Sequence, residues 1–155
     1  MQLKKIAFHI AIPLMVGGIS AFLCKDSFLF FSTIRKPPLS PPMWVFPVAW
    51  TILYVLMGVG SYRVAEYGVE EKLQRKAFLY YGIQLALNFL WTPVFFLWKN
   101  YLVALIVLGI LYFFIWQMYQ YFTENDMWAG RLQIPYIVWS SFAIYLNAGV
   151  FLLNS

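Results

Sequence analysis

The chain has 155 residues, of which 63% are apolar and only 11% are charged, and its mean hydropathy is +0.71. A soluble domain of this size needs a larger charged surface, so the composition predicts an integral membrane protein. The net charge of +5 does not indicate a nucleic-acid partner, because the eleven basic residues flank apolar segments, where they act as topology signals. The single cysteine, Cys24, excludes an internal disulfide and a metal site built from several cysteines.

Five segments are long and apolar enough to cross the hydrocarbon core, which takes about 20 residues. We predict them at 5–24, 44–65, 77–97, 100–122 and 132–153. A membrane β-barrel would show short alternating segments instead of these continuous runs. The first segment is longer than a signal-peptide core and no Ala-x-Ala site follows it, so we interpret it as a retained span. The sequence thus predicts an all-α membrane protein, a single domain of five transmembrane helices over residues 1–155.

A proline-rich loop joins the first two spans and carries the basic pair Arg35 and Lys36. Four prolines lie in it, each of which lacks a backbone donor and keeps the preceding residue out of the helical region: Pro37, Pro38, Pro41 and Pro42. The loop is therefore predicted to be stiff and extended. We expect it to lie across one end of the bundle and to cap a pocket there.

The distribution of Lys and Arg predicts the orientation of the spans. Seven of these residues lie on the side of the N terminus, and four lie on the opposite side, namely Lys25, Arg35, Lys36 and Lys99. Basic residues collect on the cytoplasmic side of a membrane. We therefore predict a cytoplasmic N terminus and a proline-rich loop outside.

Polar, small and aromatic residues recur at helical spacing in four of the five spans, which predicts the faces that point inward. They are His9, Pro13, Gly17 and Ser20 in the first span, Trp50, Tyr54, Gly58 and Ser61 in the second, Gln84, Asn88, Trp91 and Phe95 in the third, and Trp139, Ser140, Ala143 and Asn147 in the fifth. Two interpretations stay open. Small residues and amides commonly pack helices together in membranes, whereas the three tryptophans lie deep enough to line a cavity.

Several functional classes lack the residues they require. No carboxylate lies in the middle of a span, which argues against a proton-coupled transporter. His9, the only histidine, lies about four helical turns from Cys24, so the two do not form a metal site. The sequence shows no grouping of nucleophile, base and orienting residue, and no glycine-rich phosphate loop. Conventional hydrolysis and phosphoryl transfer therefore have no support.

The order and spacing of a set of short motifs resemble the TspO or translocator protein family, also called tryptophan-rich sensory proteins or peripheral benzodiazepine receptors. The resemblance covers nearly the whole chain. Its carriers are Ile34–Pro37, Pro41–Pro42, Trp44–Val45, Trp50, Leu53–Tyr54, Met57–Gly58, Gly60–Tyr62, Gln84–Asn88, Trp91, Pro93, Phe95–Phe96, Arg131–Leu132, Pro135–Tyr136, Trp139, Phe142–Ala143 and Leu146–Asn147.

The resemblance implies a five-helix bundle in a bacterial cell membrane, usually a homodimer, whose first loop covers a pocket for protoporphyrin IX or haem. Benzodiazepine-type ligands bind the same pocket in this family, and no separate cofactor or metal is required. The ligand-binding residues implied here are Phe31, Arg35, Lys36, Pro42, Phe46, Trp50, Asn88, Trp91, Trp139, Ala143 and Leu146. The two basic residues suit charge-assisted hydrogen bonds to propionate groups.

Three alternatives to a receptor or carrier remain. Light- and oxygen-dependent degradation of protoporphyrin would use Trp50 and Trp139, a transporter would move small apolar molecules along the bundle, and a scaffold would bind nothing. The family's usual Trp-Tyr pair is Phe30–Phe31 here, and Leu39 replaces a common tryptophan, which weakens the prediction of photochemistry. No basic residue follows Tyr145, so specific sterol binding is not predicted.

Overall fold

The computed structural model describes residues 2–155, which form six α-helices and no strand. The helices are α1 (Gln2–Leu23), α2 (Val45–Tyr67), α3 (Glu71–Thr92), α4 (Tyr101–Asn125), α5 (Met127–Arg131) and α6 (Ile134–Asn154). A 3₁₀ segment, Lys25–Ser32, follows α1, and a π-helical turn, Pro93–Leu97, follows α3. Among the described residues the prediction of an all-α protein is confirmed.

Four parts of the chain are helices long and apolar enough to cross a membrane: α1, α2, α4 and the combined stretch Met127–Asn154. The protein is therefore a multi-pass integral membrane protein. The predicted third span, 77–97, is divided between two elements. The α-helix α3 includes a charged first turn and ends at Thr92, and the apolar Pro93–Leu97 lies in the π-helical turn. With 22 residues α3 is long enough to be a span, but it is not apolar enough to qualify, so the fifth crossing stays a prediction.

Pro93 ends α3 and leaves a carbonyl oxygen of that helix free to bind α1. A proline has no N–H to donate to the carbonyl four residues earlier, which here is the carbonyl of Phe89. The Ser20 hydroxyl of α1 donates to that carbonyl oxygen at 3.0 Å. The proline thus leaves an acceptor on α3 that a small polar residue of a neighbouring helix satisfies.

Pro13 has a similar effect within α1, where it leaves the carbonyl of His9 without its usual donor. Gly58 of α2 packs against this carbonyl and the adjoining backbone of Ile10, so closely that a side chain would collide with them. On the same side, the His9 ring lies 2.8 Å from the hydroxyl of Ser61. Together these contacts hold the first half of α1 against α2.

The proline-rich loop is fixed to the last turns of α6. The Asn154 side chain accepts from the Arg35 N–H at 3.0 Å and donates to the Arg35 carbonyl at 2.7 Å. The hydroxyl of Tyr145 donates to the carbonyl of Pro38 at 2.6 Å. The ring of Pro37 packs on Gly149, which has no side chain to exclude it. The chain forms the 3₁₀ segment before it reaches these contacts. The prediction of a stiff, extended loop did not include this segment.

Candidate functional site

Three tryptophans from α2, α3 and α6 converge near the loop end of the bundle. The ring centroid of Trp50 lies 6.4 Å from that of Trp139, edge to face. Trp50 also stacks on Tyr54, with centroids 5.7 Å apart. Trp91 lies along the next wall, where its indole N–H donates to the Asn147 side chain at 2.9 Å. Such flat apolar faces suit a large planar ligand.

A small void of about 30 Å³ lies at the centre of this cluster. Its lining contains most of the residues predicted from the sequence, namely Phe31, Phe46, Trp50, Trp91, Trp139, Ala143 and Leu146, together with Phe95, Phe96, Asn147 and Val150. The structure therefore brings these predicted side chains together. The void has room for about one water molecule, so the aromatic rings themselves fill most of the space.

A second, larger cleft of about 280 Å³ lies beside the void. It is lined by Gly17, Ala21, Phe28, Met43, Phe46, Pro47, Trp50, Tyr54, Trp91, Thr92 and Phe96. Of the residues that the structure describes, none from α4 lines either space. Four side chains border both spaces, and we call them the aromatic partition: Phe46, Trp50, Trp91 and Phe96.

Sequence reasoning predicted an inward face on α1 but missed three residues that line the larger cleft. Gly17 was assigned to an inward face, but Ala21, Phe28 and Met43 were not singled out. One signal was present, because Ala21 lies one helical turn beyond Gly17 on the same side of α1. Phe28 and Met43 carried no such signal, since they lie in a segment without helical periodicity.

Asn88 lies beneath the tryptophans, within a network of buried hydrogen bonds. Its Oδ1 accepts from the Tyr54 hydroxyl at 2.9 Å, and its Nδ2 donates to the Tyr136 hydroxyl at 2.8 Å. The Tyr136 hydroxyl in turn donates to Gln84 Oε1 at 2.7 Å. Both ends of the Asn88 amide are thus engaged inside the protein. Asn88 borders neither space, and its place is that of a support for the rings around Trp50.

The three loop residues of the predicted site also lie outside both linings. Lys36 Nζ donates to the Phe31 carbonyl at 2.9 Å and lies 4.9 Å from the centre of the Phe31 ring. Arg35 is exposed and contributes its backbone to the pairing with Asn154. Pro42 is exposed, and its carbonyl accepts from the N–H of Val45 at the start of α2. In this arrangement the loop supports Phe31, which lines the void, and does not itself line either space.

Two buried polar groups of consecutive residues in α6 have no hydrogen-bond partner among the described residues, the indole N–H of Trp139 and the hydroxyl of Ser140. A buried donor without a partner costs about 1–3 kcal/mol. The indole of Trp139 is the more informative, because its ring borders the void. No group of three or more potential metal-binding side chains occurs in residues 2–155.

Comparison with known proteins gives consistent results. The TspO/MBR family description matches residues 9–153. The tryptophan-rich sensory protein of Cereibacter sphaeroides is 42% identical over 125 residues, which cover 81% of this chain and 77% of that protein. Protein CrtK of Rhodobacter capsulatus is 34% identical over 154 residues, covering 99% and 95% of the two chains. The human translocator protein is 34% identical over 130 residues, covering 83% and 76%. The bacterial relatives agree with the predicted bacterial membrane, and the chain belongs to the TspO/MBR family.

Proposed function

We propose that the protein is an intramembrane receptor or carrier for tetrapyrroles such as protoporphyrin IX and haem, and that benzodiazepine-type ligands share the site. The observation that carries this proposal is the convergence of Trp50, Trp91 and Trp139 around two adjoining spaces. Indole faces stack on a flat macrocycle and contribute about 0.5–1.5 kcal/mol for each aromatic pair. The family membership supports the same ligand class.

Pockets for drug-sized ligands measure about 300–1,000 Å³, and a macrocycle needs a space within that range rather than at its lower edge. The larger cleft has about 280 Å³ and the void about 30 Å³. The aromatic partition separates them. In our proposal Phe46 and Phe96 rotate when the ligand enters, which joins the two spaces into one slot between Trp50 and Trp91.

The proline-rich loop would close this slot, and all five long helices, α3 included, would span the membrane. Arg35 is the better candidate for a propionate group because its side chain is exposed, whereas Lys36 would first have to leave the Phe31 carbonyl. We also propose that the protein is a homodimer, as is usual in the family.

The test is a titration of the purified protein with protoporphyrin IX in the dark, followed by tryptophan fluorescence. We expect saturable quenching in the wild type and a Kd about tenfold higher in Trp50→Leu with Trp91→Leu, since the slot lies between these two indoles and each lost stacking contact accounts for about 0.5–1.5 kcal/mol. Trp98→Leu is the matched control, because Trp98 is 64% exposed and borders neither space. Unchanged affinity in the double variant would rule out this pocket.

Light-dependent degradation of protoporphyrin is the second candidate, favoured by the edge-to-face contact between Trp50 and Trp139 at 6.4 Å. The excited porphyrin takes an electron from the indole that it contacts and passes it to oxygen, and the second indole shares the radical that remains on the first. The same sample, illuminated in air, tests this function. If the bound porphyrin bleaches at the rate found in empty micelles, the degradation function is wrong and only the receptor or carrier function remains.

A further inference from the structure

Leu39 lies at the tip of the proline-rich loop in a backbone conformation that is unusual for a leucine. Its φ angle is 70°, in the left-handed region that glycine and asparagine adopt readily and that disfavours other residues about tenfold. The side chain is 85% exposed, so contacts with the rest of residues 2–155 do little to offset this strain. A strained and exposed apolar side chain indicates a contact outside the chain.

The loop runs down the outer side of α6, where Tyr145 is exposed. Three contacts attach it to that helix in succession: Arg35 with Asn154, the Pro37 ring with Gly149, and the Pro38 carbonyl with the Tyr145 hydroxyl. Asn154 and Tyr145 are nine residues apart, which is a rise of about 13 Å along an α-helix. Side chains on a helix incline toward its N terminus, so the Tyr145 hydroxyl lies no nearer the end of α6 than its own backbone. The tip with Leu39 therefore lies well below the end of α6.

The start of α2 lies at the same level as this tip. Its first residue, Val45, precedes Trp50 by five residues, or about 8 Å. Trp50 contacts Trp139 of α6, which precedes Tyr145 by six residues, or about 9 Å. Because the two helices run in opposite directions, Val45 and Tyr145 lie at nearly the same depth. The loop thus descends along α6 and enters α2 at the level of its own tip.

The surface of α6 around this level faces lipid. The helix belongs to the span Met127–Asn154, and Leu152, which lies nearer the end of the helix than Tyr145, is 71% exposed. An apolar surface of a spanning helix is covered by acyl chains. The tip of the loop therefore lies where the acyl chains of this leaflet meet the head groups.

The backbone of the loop suits such a place. Its four prolines bring no N–H donor. Donors within the chain satisfy three of the four proline carbonyls: the Ser40 hydroxyl donates to Pro37 at 2.7 Å, the Tyr145 hydroxyl to Pro38 at 2.6 Å, and the Val45 N–H to Pro42 at 3.0 Å. Irregular backbone close to hydrocarbon is tolerated where its polar groups have partners.

We propose that the tip of the loop is a lipid contact, in which Leu39 inserts into the leaflet on that side of the membrane. Insertion offsets the strained backbone, because burial of a leucine side chain favours a contact by about tenfold or more. Tyr145 and the exposed Trp44 are of the two residue types that collect at this boundary. The contact needs no tetrapyrrole, so its test is independent of the proposed function.

The first measurement places a nitroxide label on the full chain in phosphatidylcholine vesicles, through Leu39→Cys in a Cys24→Ala background. Oxygen concentrates in hydrocarbon and a nickel chelate stays in water, so the ratio of their collision rates with the label reports its depth. Val69→Cys is the aqueous reference, 84% exposed and next to Glu70, and Val138→Cys, 64% exposed in α6, is the lipid reference. We expect the oxygen-to-nickel ratio at position 39 to lie well above the ratio at position 69, toward that at 138. A ratio no higher than the one at position 69 would overturn the proposal.

The second measurement needs no label and compares Leu39→Asn with the wild type by hydrogen exchange in the same vesicles. The Arg35 N–H, which donates to Asn154, reports the attachment of the loop, and it lies too far along the chain from position 39 for its intrinsic rate to change. If Leu39 served only the turn, asparagine would relieve the backbone and slow this exchange. The lipid contact predicts the opposite, namely exchange about tenfold faster, because the amide side chain does not enter the acyl region.

Two matched variants separate insertion into lipid from general effects. Leu39→Met keeps an apolar side chain and should exchange as the wild type does. Leu29→Asn makes the same substitution at a leucine that is 81% exposed in the 3₁₀ segment, outside the loop, and should leave the exchange of Arg35 unchanged. Exchange in Leu39→Asn that is unchanged or slower, or that Leu29→Asn accelerates as much, would show that Leu39 does not anchor the loop in lipid.

Discussion

Asn88 holds two tyrosine hydroxyls at once, at 2.9 Å from Tyr54 and 2.8 Å from Tyr136. Both tyrosine rings contact Trp50, with centroids 5.7 and 6.1 Å away. A single amide in α3 therefore positions rings of α2 and α6 and, through them, the indole between them. At the scale of residues, the site is a set of aromatic faces held by a few buried hydrogen bonds.

Replacing Asn88 with Ala should lower stability and weaken ligand binding indirectly. Hydrogen bonds between membrane helices contribute about 1–2 kcal/mol at most, so we expect a loss of that size by thermal unfolding in detergent. In a double-mutant cycle, Asn88→Ala and Tyr136→Phe should lose less together than the sum of their single effects. Additive losses would show that the two side chains do not act as one network.

At the scale of elements, short segments set the places of the long helices. Asp126 lies between α4 and α5, where its carboxylate accepts from the Arg63 side chain at 2.6 Å and from the Ala129 N–H at 2.9 Å. It joins the end of α2 to the start of α5. The hydrogen bond from Arg63 holds the pKa of Asp126 below its ordinary value, and the N–H donors of α5 lower this pKa by a smaller amount.

This arrangement gives a pH prediction with a definite sign. A carboxyl whose pKa is lower in the folded state adds stability above its unfolded pKa, near 3.9, and loses that contribution as the pH falls through the folded value. Asp126→Asn removes the charge but keeps a side chain that can cap α5. Asp126→Ala removes both and should lower the stability by about 1 kcal/mol more. The difference between wild type and Asp126→Asn should be constant from pH 8 to pH 5 and shrink below about pH 4. A difference that does not shrink below about pH 4 would contradict the ion pair.

The contact of Pro37 with Gly149 gives a test of the loop. A side chain on Gly149 would overlap the proline ring, so Gly149→Ala should displace the loop from α6 and speed hydrogen exchange around Arg35. Gly109→Ala is the matched control, since a side chain there meets nothing within 4 Å, and alanine is favoured over glycine in a helix by about 1 kcal/mol. Equal exchange in the two variants would show that the contact does not fix the loop.

At the scale of the whole molecule, hydropathy and helical spacing were enough to predict an all-α membrane protein and the inward faces. Ser20, Tyr54, Ser61, Gln84, Ala143 and Asn147 are buried as expected. The 3₁₀ segment, the π-helical turn and α5 were not predictable from periodicity. Their form depends on tertiary contacts, such as the hydrogen bond that Arg63 of α2 donates to Asp126 ahead of α5. The place of Asn88 was also beyond the sequence, since spacing shows which face is inward but not which partners an amide finds.

Orientation and the fifth crossing are tested together by labelling single cysteines in a Cys24→Ala background with a membrane-impermeant maleimide. Leu29→Cys and Val69→Cys place the thiol at positions 81% and 84% exposed, on opposite ends of α2. Lys99→Cys lies beyond α3. We expect labelling from outside at positions 29 and 99 and not at 69, because α3 returns the chain to the outer side. Labelling of 69 and 99 from the same side would mean that α3 does not span the membrane.

The central claim is that the aromatic partition opens to admit a tetrapyrrole between Trp50 and Trp91. The most direct measurement is an experimental structure of the protein with protoporphyrin IX bound. The account predicts a macrocycle stacked between these two indoles, with Phe46 and Phe96 turned away and the small void merged with the larger cleft. A macrocycle on the outer surface of the helices, with the partition unchanged, would contradict it.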